Sequence, residues 1–167
     1  SKSRDIPVPN YSSTIDQGVK GKRIVVCPDF YNRSDVDSSI RENFESACLV
    51  FEGLGGIVEE IAFPHFEKIM NIFPKIAGAE FSEFHRPFIE KDPKGYGEDI
   101  LKRLDWSLKI STDEYVTGMR EREVLQREME TFFATFDVLI SPALPCVAPT
   151  IEGLKANIDG EEIVYDY

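Results

Sequence analysis

Two short apolar runs, Lys22-Arg-Ile-Val-Val-Cys-Pro28 and Ile57-Val-Glu-Glu-Ile-Ala-Phe63, flank a single helix-length stretch, and this spacing restricts the fold most. The first run is rich in β-branched residues and reads as a buried strand. The stretch between them opens on Ser34, Asp35 and Asp37, which can cap a helix N-terminus and suit its positive end. Ile40, Phe44, Ala47, Cys48, Phe51 and Leu54 then recur at helical spacing, and Gly55-Gly56 stops the run. A strand, a helix and a strand in this order predict a βαβ unit with parallel strands and a right-handed crossover. Pro28 to Ser34 reads as the loop leaving the first strand.

A second strand-end loop lies later in the chain. From Arg120 to Pro149 a charged amphipathic helix runs into a short apolar strand, Val138 to Ser141, and a proline-punctuated turn, Pro142 to Pro149. Ligands of open α/β sheets bind outside the carboxyl ends of strands, so Ser141, Pro142, Ala143 and Leu144 are candidates for a pocket wall.

The remaining segments supply helices. Phe66, Ile69, Met70, Phe73, Ala77, Phe81 and Phe84 form one stripe after Pro64, expected to face the core, with Pro74 expected to break or kink the helix. Arg86 to Gly97 holds Pro87, Pro93, Gly95 and Gly97 and reads as a loop, and Glu98 to Ile110 as a shorter helix with Ile100, Leu101, Leu104 and Leu108 inward. Ser111 and Glu114 have capping-box spacing and open a helix from Thr112 to Phe136. Tyr115, Met119, Val124, Met129, Phe132, Phe133 and Phe136 are its apolar positions, and the REREVLQRE run is a solvated face. The fold expected is α/β, layered, with a mostly parallel sheet flanked by helices. Residues 1–21 read as a connector, 22–150 as the α/β segment, and 151–167 as a tail or edge strand, with Asp159-Gly160 as a turn and Ile163 to Tyr165 as the strand.

Composition excludes several function classes. The formal net charge of −11 repels phosphate backbones and anionic membranes, so no nucleic-acid or membrane partner is expected. No apolar run reaches the roughly 18 residues of a membrane span. Cys27, Cys48 and Cys146 are odd in number and in no CxxC spacing, which argues against a disulfide framework or a zinc site and for a cytoplasmic setting.

Four constellations could carry chemistry. Asp29, Asp35 and Asp37 beyond the first strand could hold a hard cation, although capping accounts for two of them. Glu80, Glu83 and His85 could act as acid and base, or form an exposed polar face. Ser141 stands at a strand end without a GxSxG elbow or an identifiable base. Cys146, between two prolines, could be a reactive thiol, but with no histidine partner a small buried cysteine is the expectation. Gly53, Gly55 and Gly56 follow a helix, the wrong context for a phosphate loop. The residues alone describe an α/β domain without a self-contained active site.

Taken together, several stretches resemble the amidase signature family: Pro7-Val-Pro-Asn-Tyr11 with Val19 to Val26, the βαβ segment Arg23 to Phe63, Ile76-Ala-Gly-Ala-Glu80, and Tyr115 with Arg120 and Arg122. Phe136-Asp-Val-Leu-Ile-Ser-Pro142 with Pro145 and Ala148-Pro149 completes the series. The resemblance implies a partial amidase-signature fold from a hydrolase acting on a small-molecule carboxamide, without metal or organic cofactor. The family's serine nucleophile, second serine and lysine base sit around a glycine- and serine-rich run that these 167 residues lack, so no catalytic residue carries over. The chain, opening on Ser rather than Met, is thus expected to be an internal segment, inactive alone and prone to self-association through uncovered apolar surface. Two alternatives stand beside it. One is a segment of the glutamyl-tRNA amidotransferase protein that carries the amidase fold (its A subunit), although Arg86-Pro-Phe replaces the Tyr-Asp-Gly usual there. The other is a non-catalytic binding or assembly domain.

Overall fold

The computed structural model describes residues 7–153 and 155–164, so Ser1 to Ile6 of the connector and Tyr165, the last residue of the expected edge strand, lie outside them. Three strands, β1 (Arg23–Val26), β2 (Ile57–Glu60) and β3 (Val138–Ile140), form a parallel sheet in the order β2-β1-β3. Ile24 pairs with Val58 on one side and Val138 on the other. The expected βαβ unit is present, its helix being α2 (Ser38–Gly53).

The central strand is buried on both faces, which explains its continuous apolar run. Val25 and Cys27 face Phe30, Phe63, Phe132 and Phe136, whereas Val26 faces Tyr31, Phe44 and Cys48. Polar side chains lock the amino-terminal edge. Arg23 makes a two-pronged ion pair with Glu59, at 2.7 and 3.0 Å, donates to the Thr135 carbonyl, and lies over the Phe136 ring. Asp137 accepts from the Arg23 amide and Lys22 Nζ.

The loop expected after β1 begins instead as a one-turn helix, α1 (Pro28–Tyr31). Proline at the first helical position costs no hydrogen bond there, and Asp29 suits the helix start. The cap of α2 is Asp37, whose side chain accepts from the Ser39 amide.

The largest departure from the sequence reading is α3, which runs from Phe66 to Lys91 through both Pro74 and Pro87. Pro74 does not end it, and the expected loop from Arg86 begins only at Asp92. Its inward residues also differ. Ile72 and Ile76 pack with Leu125, Ile69, Tyr115 and Met119, and Gly78 and Ser82 are buried too. These positions lie roughly a third of a turn to either side of the aromatic stripe, taking 100° per residue. The stripe itself is left uncovered at Met70, Phe73 and Phe84, Phe73 being 68% exposed. Helix α4 (Glu98–Ser107) packs on α3, with Leu104 fully buried, and α5 (Thr112–Phe133) packs along it. The capping box of Ser111 and Glu114 forms as expected, while the core residue of mid-α5 is Leu125 rather than Val124.

Residues 155–164 form a separate antiparallel hairpin, β4 (Lys155–Ile158) and β5 (Glu161–Val164), around Asp159-Gly160. Both turn residues have positive φ, the mark of a tight two-residue hairpin turn. Ala156 and Ile158 of this hairpin bury Cys146. Among the described residues no helix is long and apolar enough to cross a membrane.

Candidate functional site

The parallel sheet directs its carboxyl ends toward one edge, where the loops after β1, β2 and β3 meet. Ser141 to Leu144 continue β3 as irregular chain, exposed except for half-buried Pro142. They line neither of two open grooves among the described residues. One of these, about 590 Å³, lies among α3, α4 and the start of α5, and Glu80, Glu83, Arg86, Ser107 and Tyr115 reach it. The other, about 740 Å³, is an apolar trough between α3 and α5 lined by Ile69, Phe73, Ile76, Leu125, Met129 and Phe133.

The three aspartates do not converge. The Asp29 carboxylate accepts from the Phe63 amide at 2.7 Å, tying the β1 and β2 exits together. Asp35 pairs with Arg33 rather than capping α2, and that guanidinium holds its carboxyl below the usual range. Only Asp37 is a cap. Its carboxyl is lowered chiefly by the Ser39 hydroxyl and then by the Asp159 amide. Among the described residues no group of three metal-ligating side chains could hold an ion.

Glu80, Glu83 and His85 are likewise separate. Glu83 pairs with Arg86. His85 shares a hydrogen bond with the Tyr96 hydroxyl at 3.0 Å and stands among the rings of Phe81, Phe84 and Tyr96. Glu80 and Glu83 are the exposed polar face expected, whereas His85 is half-buried and bonds Tyr96 rather than either glutamate. Cys146 is buried under the hairpin, the small core cysteine expected from the sequence. Cys27 is fully buried beside Asp29; burial first, and that carboxylate second, push its thiol up to about 11. Such a thiol is a poor nucleophile near neutrality.

Two contacts at this edge had no clear sequence signal. Tyr31 donates to Glu60 at 2.8 Å, and burial followed by that carboxylate raises the phenol above its ordinary value. Asp159, read only as a turn residue, accepts from the Ser38 amide at the start of α2 while its own amide donates to Asp37. Neither contact presents an activated nucleophile, base or oxyanion site. The geometry supplies a frame around a strand-end loop.

The amidase family profile matches residues 1–166. An amidase of Pseudomonas putida is 31% identical over 97% of this chain and 33% of its own length. The A subunit of the glutamyl-tRNA(Gln) amidotransferase of Streptococcus uberis is 26% identical over 93% of this chain and 36% of its own length. A crystal structure of an amidase shares the fold with a TM-score of 0.76 at 20% identity, across 89% of this chain and 34% of that one. The chain therefore spans about a third of the length of the curated relatives it matches. With the profile reaching from the first residue to the penultimate one, and the parallel sheet and helices to match, the chain belongs to the amidase signature family.

Proposed function

We propose that this chain is the sheet-and-helix frame of a longer amidase that hydrolyses a small carboxamide to a carboxylate and ammonia. Ser141, Pro142, Ala143 and Leu144 form one wall of its amide pocket. The observation that carries this reading is a family match along the chain that spans only about a third of each relative, in a sequence without the glycine- and serine-rich run. Attack on an amide carbonyl needs an activated nucleophile and donors aimed at the developing oxyanion. Both belong to that run and the lysine and serines around it, so this segment alone is inactive. The reaction adds water across the C–N bond and calls for no metal or organic cofactor. The net charge of −11 favours a partner other than nucleic acid, and three cysteines in no CxxC spacing favour a cytoplasmic setting.

The isolated chain is expected to release no ammonia from simple aliphatic and aryl amides and to take up no fluorophosphonate. Labelling of any serine, Ser141 above all, would sink the assignment. A second reading, a segment of the amidotransferase protein, is favoured by the 26% identical relative. The higher identity to a plain amidase and Arg86-Pro-Phe, which follows the Ala-Glu pair within α3, favour the first.

The same reading implies self-association. Phe73, Phe84, Met70 and Phe133 are exposed apolar side chains on α3 and α5, and the trough between these helices adds to that surface. Size-exclusion chromatography with light scattering should show species heavier than 19.0 kDa, more so in high salt, which screens the negative charge. A strictly monomeric profile at tens of micromolar would refute this.

A further inference from the structure

The stretch Ser141 to Leu144 is held at both ends by different means. Ile140, just before it, is fixed by its sheet register against Val26. Pro145, just after it, offers its carbonyl to the Asp37 amide at 2.8 Å. Asp37 is itself clasped: its carboxylate accepts from the Asp159 amide at 3.1 Å, and the Asp159 carboxylate accepts from the Ser38 amide at 2.8 Å. The two aspartates thus exchange hydrogen bonds, each carboxylate receiving an N–H from the other's segment. The hairpin that carries Asp159 closes over Cys146 through Ala156, Ile158 and Ile163.

From this arrangement we infer that Asp37 and Asp159 are positioning residues: their clasp fixes the far end of the Ser141–Leu144 wall, which rests on the amidase reading above. The contacts suit the task. Hydrogen bonds to a charged acceptor are about twice as strong as neutral ones, and here they bridge segments 122 residues apart. Asp159 also sits in the left-handed region at φ 50°, which Asp and Asn tolerate better than most residues and Gly adopts freely. Without the clasp the hairpin keeps its own ladder but loses its seat on α2. Pro145 and Cys146 then move with it.

The test uses the 167-residue chain and needs no turnover. Asp159→Gly removes the carboxylate while easing the backbone, and Asp159→Asn keeps an acceptor oxygen. Labelling by N-ethylmaleimide, followed by peptide mapping, reads Cys146 against Cys27, both buried in the intact chain. The rate at Cys146 should rise about tenfold or more in Asp159→Gly, stay within about threefold of the parent in Asp159→Asn, and remain unchanged at Cys27. In the same variant the amide resonances of Ala143 and Leu144 should shift while those of Ile24 and Val58 hold. If Cys27 labels in step with Cys146, the result is read from Ser38→Pro, which deletes the donor to Asp159 at a helix position that favours proline. Unchanged Cys146 labelling, equal rates in the Gly and Asn variants, or stationary Ala143 and Leu144 resonances would overturn the inference. Neither readout depends on amide hydrolysis, so failure here leaves the amidase assignment standing, and failure of that assignment leaves the clasp.

Discussion

Replacing Ile24 by alanine should lower the unfolding free energy by about 3 kcal/mol, near the middle of the ~2–5 kcal/mol range for such truncations. Ile24 is 1% exposed and stands in the central strand, so its side chain has no solvent-facing route for relaxation. Its Cδ1 lies 2.9 Å from where a Cβ on Gly56 would be, placing the deleted carbons against the backbone that leads into β2. That backbone is tied by the Ile57 amide to the Lys22 carbonyl at 2.8 Å and cannot easily fall into the hole. Urea unfolding followed by circular dichroism should show a lower midpoint with an unchanged slope. A loss below about 1 kcal/mol would mean that the site collapses freely, against the tight seating described for β1.

Gly78→Val should cost about 2 kcal/mol, within the ~1–3 kcal/mol typical of overpacking. A Cβ at Gly78 would come within 2.7 Å of Trp106 Cζ3 on α4 and 2.5 Å of Ile110 Cδ1 in the link that follows it. A glycine inside a helix is a liability of about 1 kcal/mol against alanine, so this one is retained for the close crossing rather than for helix formation. Trp106 is the chain's single tryptophan and half-exposed, which makes it a direct reporter. Its emission should move to the red as α4 is levered away, and Gly78→Ala should fall between the parent and the valine variant. An unshifted spectrum with full stability would show that Trp106 and Ile110 yield without cost.

The parts of this fold that were legible were those fixed by local chemistry. The β-branched run at Ile24 to Val26 is buried on both faces, the Ser111–Glu114 box caps α5, and Asp159-Gly160 makes its turn because two positive φ angles suit that pair. Failures occurred where tertiary contacts outweighed local preference. Pro74 and Pro87 each remove one helix hydrogen bond, yet packing along α4 and α5 carries α3 past both. Periodicity found an apolar stripe on α3 but could not rank it against Ile72 and Ile76, because the helix is apolar on more than one side. Val124 and Leu125 are equally apolar neighbours, and one residue is enough to rotate the face by about 100°, so periodicity does not tell which of them is buried. The clasp of Asp37 and Asp159 was invisible because nothing local to either residue announces a partner more than a hundred positions away.

The sheet order places the first strand in the middle, and this sets a timetable for a chain emerging from the ribosome. Once Glu60 is out, β1, α2 and β2 can close into a unit whose strands pair 34 residues apart, against the 114 that separate β1 from β3, so its loop-closure cost is the smaller. The other flank of β1 must then wait through all of α3, α4 and α5 until Ile140 appears. During that interval an apolar strand edge stands open, a state in which nascent chains are prone to mispairing and to capture by chaperones. Slowing synthesis between those two points should therefore harm the yield of folded chain more than slowing it anywhere before Glu60.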